Sequence, residues 1–247
     1  MLGIIGGSGL TKLPNLSING EKTLRTPYGE ASSPLSLGKF AGREVVFLAR
    51  HGAAHTIPPH RINYRANVWA LHSAGVAEIA AVFSVGGIDA ALGPGVIAVP
   101  DQLVDFTNGR AHTFFDGDDG NVVHVDFTWP YTRSVRSALL AAAKNAGIPA
   151  IDGGVYGAVN GPRLETKAEI DFLDQAGATM VGMTGMPEAG LARELDIAYA
   201  ALAVSVNFAA GRGESAEQIS LEQIKQTLGP AMLRVGKILE SWVGRHD

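Results

Sequence analysis

Short runs rich in apolar and β-branched residues recur at 2–5, 44–48, 79–85, 95–99, 153–159, 179–183 and 197–206, and helical periodicity fills several of the intervals. Runs of this length without polar alternation are strands covered on both faces. The helical stretches are 64–74, 132–146, 166–176, 187–195 and 220–242. Alternation of this kind predicts an α/β architecture, a mixed, mostly parallel central sheet flanked by helices. With 46% hydrophobic residues among 247, the chain has apolar material for one sizeable core, so a single domain over 1–247 is expected. Gly229-Pro230 falls inside the last helical pattern, and because proline has no N–H to give, a kink or a split is expected there. The stretch 106–121 is polar and rich in Gly and Asp, which predicts a long surface loop.

Charge narrows the range of partners. A formal net charge of -4 gives no electrostatic reason to expect a nucleic acid or an anionic membrane, so any anion must be held by a local site. With no cysteine there is neither a disulfide framework nor a thiolate metal site. The chain opens on a strand and a Gly-rich turn instead of a secretory signal, and no apolar run reaches bilayer-spanning length. A cytoplasmic enzyme is the expected class.

The first strand runs into Gly6-Gly7-Ser8-Gly9-Leu10, a turn that lets backbone amides and a hydroxyl approach a phosphate closely. It is not a dinucleotide-binding fingerprint, because Lys12 stands where the third glycine belongs, and it lacks the Gly-Lys-Ser/Thr ending of a Walker loop. Taken alone, these residues fit a tight ligand-free turn equally well. Arg50 and His51 directly follow a buried strand, which puts a fixed cation and a second donor where α/β proteins bind ligands. His51, His55 and His60 also raise the alternative of a metal site, although no acidic ligand stands among them.

These segments belong to a longer series: the GGSGL turn, LARHGAAHTIPPHRINYRANVWAL from Leu48, Pro94-Gly95, FFDG from Phe114, NGPRLETKAEI from Asn160 and GMTGMPE from Gly182. In order and spacing, over almost the whole chain, the series resembles the methylthioadenosine phosphorylases of the purine nucleoside phosphorylase family. The resemblance implies the nucleoside phosphorylase fold, usually as a homotrimer. It also implies cleavage of an N-glycosidic bond by inorganic phosphate as co-substrate, with no cofactor and no metal. Its phosphate site is similar to Ser8, Arg50, His51 and Thr184 here, with Ser84 a further candidate. Phe83 departs from the family's small residues after the third strand and cannot donate. Met183 matches the family's ribose-contacting methionine; outside that context it reads as a core residue.

Adenine-specific members carry two Asp residues at the end of the strand before the last helix, where this chain has Asn207 and Ala209. Members that act on inosine and guanosine carry Asn at the first position and a Glu in a run similar to Gly161-Pro162-Arg163-Leu164-Glu165-Thr166. The chemistry agrees with that contrast. Ionised Glu165 only accepts, which suits the N1–H of hypoxanthine and opposes the bare N1 of adenine, while the amide of Asn207 both donates to O6 and accepts from a protonated N7. In the plainer alternative, Glu165 is a favourable acid at a helix start and Asn207 caps a strand.

Near the start of the final helix, the methylthio-specific enzymes place an aliphatic residue where inosine-cleaving ones place His. Leu221 occupies that position, with Ile224 beside it, although both suit a core equally well on spacing alone. His124 matches a family histidine that reaches a neighbouring subunit's sugar site. Together these features imply phosphorolysis of a 5′-methylthio nucleoside of a 6-oxopurine, with methylthioadenosine and then inosine or guanosine as alternative substrates. From other classes, a water-using nucleoside hydrolase and a non-catalytic nucleoside-binding module remain, and the complete set of phosphate residues opposes both.

Overall fold

The computed structural model describes residues 1–117, 120 and 122–245. The chain begins with strands β1 (Leu2–Gly6), β2 (Ser17–Lys22), β3 (Leu35–Phe40) and β4 (Arg43–Ala49), followed by helix α1 (Tyr64–Ser73). Next come β5 (Glu78–Gly87), β6 (Ile97–Val99) and β7 (Gln102–Asp105), then α2 (Arg133–Asn145), β8 (Ile151–Asp152) and β9 (Val155–Ala158). The chain ends with α3 (Lys167–Gln175), β10 (Met180–Gly182), α4 (Glu188–Glu194), β11 (Ala198–Phe208) and α5 (Leu221–Val243). The expected alternation of strand and helix is present, and the strands form one mixed, mostly parallel sheet.

The sheet runs β2-β3-β4-β1-β5-β10-β9-β7, while β11 lies along β5 and carries β6 and β8. Its organising feature is a fork at β5. The first half of β5 pairs in parallel with β1, through Ala81, and its last residues, Gly86 and Gly87, pair antiparallel with β10. Residues 82–85 pair with neither on that edge, though β11 follows β5 along the other. The ends of β1, β4 and β10 therefore converge on a gap beside the centre of the sheet. Such switch points are where open α/β sheets bind ligands.

The core follows the apolar runs. Ile4, Ile5, Leu48, Ile79, Val82, Leu202 and Val204 are fully buried, as strands covered on both faces require. Among the described residues, four strands lie outside the runs read from sequence: β2, β3, β7 and β8. All six residues of β2 are exposed, so no apolar period marks it, and β8 has only two residues.

Helix α5 is not split at Gly229-Pro230: it continues from Leu221 through Pro230 to Val243 as one helix. An interior proline costs about 3 kcal/mol. Beyond it, α5 buries Met232, Val235, Ile238, Leu239 and Trp242 against the core, each contributing about 1.5–3 kcal/mol. Packing outweighs the missing hydrogen bond. The described residues of 106–121 follow β7 without helix or strand, as expected of a loop; positions 118, 119 and 121 lie outside the described residues.

Candidate active site

A cavity of about 520 Å³ opens at the fork. The Gly7-Ser8 turn after β1 lies at its floor beside Arg50, which follows β4. A Cβ on Gly7 would stand 2.5 Å from the Val82 carbonyl oxygen and 2.9 Å from Arg50 Nη1, so only glycine lets this turn settle onto the guanidinium.

Arg50 is fully buried. Its Nε and Nη2 donate to the two oxygens of Glu188 at 2.6 and 2.7 Å, and Nη1 donates to the Val82 carbonyl at 2.8 Å, in the stretch of β5 left open by the fork. The Phe83 ring stands 5.2 Å from the guanidinium carbon. A residue unable to donate thus serves as a cation–π support. The fixed cation expected after this strand is also half of a buried ion pair.

His51 Nδ1 lies 2.8 Å from the Ile57 carbonyl, which only accepts, so Nδ1 carries the proton and donates. Burial, then Arg50 and His55, lower the His51 pKa to about 4, against a smaller upward pull from the Ile57 hydrogen bond. The ring is therefore neutral and offers a lone pair at Nε2. This corrects the expectation that His51 supplies a second donor. Ser8 Oγ lies 3.0 Å from His55 Nε2. The Ser84 hydroxyl donates to the Ser8 carbonyl at 3.3 Å, which closes the turn and leaves oxygen lone pairs at the cavity.

Thr184 lies just past β10, its backbone N–H donating to the Tyr156 hydroxyl at 3.1 Å, and both Thr184 and Met183 line the cavity. Gly161 has a left-handed φ of 61°, and a Cβ there would meet Met183 Sδ at 2.3 Å. The two loops pack that closely because the residue is glycine. Glu165, Asn207 and Ala209 line the same cavity. The register of β11 shifts between Ser205 and Asn207, and this bulge lets the consecutive residues Val206 and Asn207 both face it. Asn207 Nδ2 donates to the Phe208 carbonyl at 2.6 Å, so the other N–H and the carbonyl oxygen remain for a ligand.

Glu165 does not cap helix α3. Thr166 caps α3, and Glu169 completes the capping box, accepting from the Thr166 N–H at 2.7 Å. Glu165 stands just before the cap and lines the cavity. Burial, chiefly, holds its pKa above the ordinary carboxylate value, with Glu169 adding to the rise and its own backbone amide and Arg163 opposing it.

At the apolar end Ile224 lines the cavity and Leu221 does not; Leu221 is 64% exposed. Leu228, two turns along α5, lines the cavity instead, opposite Ile57 and Pro58. His124 is exposed and lies outside its own chain's cavity. His51 and His55 have ring centres 4.9 Å apart, but His60 lines a separate cavity. Among the described residues no group of three His, Asp or Glu forms a metal-ligand set.

Sequence reasoning did not single out Glu188, Tyr156, Leu228 or the Ile57–Pro58 wall. The only signal for Glu188 was its place in the GMTGMPE run, because its partner Arg50 lies 138 positions away.

The profile of the Phosphorylase superfamily matches residues 1–243. The chain belongs to this superfamily. Among similar members, a probable S-methyl-5′-thioinosine phosphorylase of Pseudomonas syringae pv. tomato is 52% identical over 232 residues, 94% of each chain. The 6-oxopurine nucleoside phosphorylase of Pyrococcus furiosus is 46% identical over 215 residues, 85% of this chain and 80% of that one. Methylthioadenosine phosphorylase from Schistosoma mansoni, solved with adenine, superposes with a TM-score of 0.93 at 32% identity, over 100% of this chain and 92% of that one. This phosphorylase is thus an enzyme of the nucleoside phosphorylase type with that type's fold.

Proposed function

We propose that this phosphorylase converts S-methyl-5′-thioinosine and phosphate into hypoxanthine and 5-methylthioribose 1-phosphate, without a cofactor. The observation that carries the reading is the base edge of the cavity: Asn207 and Glu165 line it together, and Ala209 holds no second carboxylate. Glu165 accepts the N1–H. The free N–H of Asn207 donates to O6, and its carbonyl accepts from N7 as the base leaves. Ser8, Thr184 and the spare N–H groups of Arg50 hold phosphate, and Met183 covers the ribose. The C1′–N9 bond breaks, a phosphate oxygen bonds to C1′, and the proton that hydrogen phosphate gives up is balanced by the one the purine gains. Ile224, Leu228 and Ile57 give the 5′-thioether an apolar seat where a hydroxyl lacks a partner. The relative from Pseudomonas syringae bears the name of this activity.

The experiment is a substrate panel of methylthioinosine, methylthioadenosine, inosine, guanosine and adenosine with and without phosphate, run across pH. Methylthioinosine should give the highest kcat/KM and release base only with phosphate. A methylthioadenosine value equal to or above it sinks the 6-oxopurine reading, and phosphate-independent release sinks phosphorolysis. The pH series tests Glu165. Its raised pKa means that the acceptor form is lost sooner than for an ordinary carboxylate as pH falls, and the protonated carboxyl then donates to adenine N1. The methylthioinosine to methylthioadenosine ratio should therefore fall several-fold from about pH 8 to about pH 5. His51, lowered to about 4, stays neutral over most of that window. A constant ratio removes Glu165 from the base.

The same reading makes the enzyme a cytoplasmic homotrimer in which His124 serves a neighbour's sugar site. Supporting it, Val122, Val123, Val125 and Trp129 are exposed on either side of His124, an apolar ribbon suited to a second copy. His124→Ala should lower activity about tenfold or more while leaving the melting temperature nearly unchanged. A fully active monomer by light scattering contradicts this placement.

A further inference from the structure

We propose that Glu188 and Tyr199 are positioning residues for phosphate, acting through Arg50. The inference rests on the placement of phosphate at Arg50 proposed above. Arg50 carries five guanidinium N–H groups. Glu188 takes one on Nε and one on Nη2, and the Val82 carbonyl takes one on Nη1, at 2.6, 2.7 and 2.8 Å. Two remain, one on each terminal nitrogen, and Arg50 lines the cavity. Glu188 is held in turn, because the Tyr199 hydroxyl donates to its Oε1 at 2.7 Å.

Arg50 lines the cavity and Glu188 and Tyr199 do not, so these two stand behind the guanidinium and do not touch phosphate. Their effect is geometric. Pinned along one edge by a carboxylate and at Nη1 by a backbone carbonyl, the guanidinium cannot turn, and its two free N–H groups are aimed before phosphate arrives. Their effect is also electrostatic, because Glu188 cancels the charge of Arg50. The site must hold the anion by directed hydrogen bonds instead of by net charge, which makes aim decisive. Burial and then Glu188 push the Tyr199 hydroxyl well above its usual pKa, so it remains a donor wherever the enzyme works.

A mere counter-charge and a positioning carboxylate predict opposite results. Removing a counter-charge frees Arg50 to attract phosphate more strongly; removing a positioning group weakens binding. The test uses the full-length enzyme as Tyr199→Phe, Glu188→Gln and Arg50→Lys, with phosphate KM, nucleoside KM, kcat and melting temperature measured for each. Tyr199→Phe should raise phosphate KM about fivefold, and Glu188→Gln about tenfold or more, with nucleoside KM within about twofold of wild type. An unchanged phosphate KM in Tyr199→Phe, an equal rise in both KM values, or a phosphate KM that falls in Glu188→Gln overturns the proposal. If Glu188→Gln does not fold, Tyr199→Phe decides alone. Arg50→Lys keeps the charge without the fork. If it raises phosphate KM while the other two do not, only the positioning fails. If it leaves phosphate KM unchanged, phosphate is not at Arg50.

Discussion

Arg50→Ala should abolish phosphate-dependent turnover and lower the melting temperature sharply, and the two effects have separable causes. The activity is lost because the two spare N–H groups disappear from the cavity and no neighbouring side chain replaces a guanidinium fork. Stability falls because the Glu188 carboxylate, fully buried, keeps among the described residues the Tyr199 hydroxyl as its one side-chain partner. Leaving one charge of a buried pair uncompensated costs about 3–5 kcal/mol, against a total stability of about 5–15 kcal/mol. Replacing both partners with apolar residues, as Arg50→Met with Glu188→Leu, should recover most of that loss, because a buried ion pair and an apolar pair of similar volume are often near parity. The unpaired Tyr199 hydroxyl sets the remaining deficit, about 1–3 kcal/mol. The double variant should fold and stay inactive. Thermal unfolding and phosphate titration read the two effects apart, and a folded Arg50→Ala with wild-type phosphate dependence removes Arg50 from the site.

Asn207→Asp with Ala209→Asp should reverse much of the base preference. Asn207 now presents one free N–H and one carbonyl oxygen, its other N–H being spent on the Phe208 carbonyl. A carboxyl at 207 accepts from a 6-amino group and, when protonated, donates to N7. A second carboxyl at 209 faces the same ligand edge, because Ala209 lines the cavity. Each mismatched buried polar group costs about 1–3 kcal/mol, so two of them shift the methylthioinosine to methylthioadenosine ratio by roughly a hundredfold or more. The switch stays partial because Glu165 still opposes adenine N1. The two substitutions share a ligand, so their effects should not add. Measuring kcat/KM for both nucleosides in the two single variants and the double variant checks this, and a double variant with the wild-type ratio takes Asn207 out of base recognition.

Much of this protein was legible before folding. Five helical stretches and seven apolar runs correspond to helices and strands, because a helix period and a buried strand are local properties of the chain. Strand β2 was not legible, because its six residues are all exposed and the sheet edge alone selects them. Helix α5 shows where local reasoning stops. Leu221, Ile224 and Leu228 share one helical face by spacing, so the pattern cannot say which end of that face meets the cavity. The docking of the helix selects Ile224 and Leu228 and leaves Leu221 exposed.

By itself the sequence determined the layered α/β class, the segments that meet at the cavity, and the types of group that line it, since each depends on residue identity and short-range spacing. Tertiary structure decided what those groups can do. It joined Arg50 to Glu188 in a buried ion pair, spent the one ring proton of His51 on Ile57, and gave the capping of α3 to Thr166 and Glu169 instead of Glu165. The reason is common to all three: a hydrogen-bonding group acts through whatever protons and lone pairs its neighbours leave unused. Those neighbours are chosen by where β1, β4, β5 and β10 part at the fork, as the 138 positions between Arg50 and Glu188 make plain.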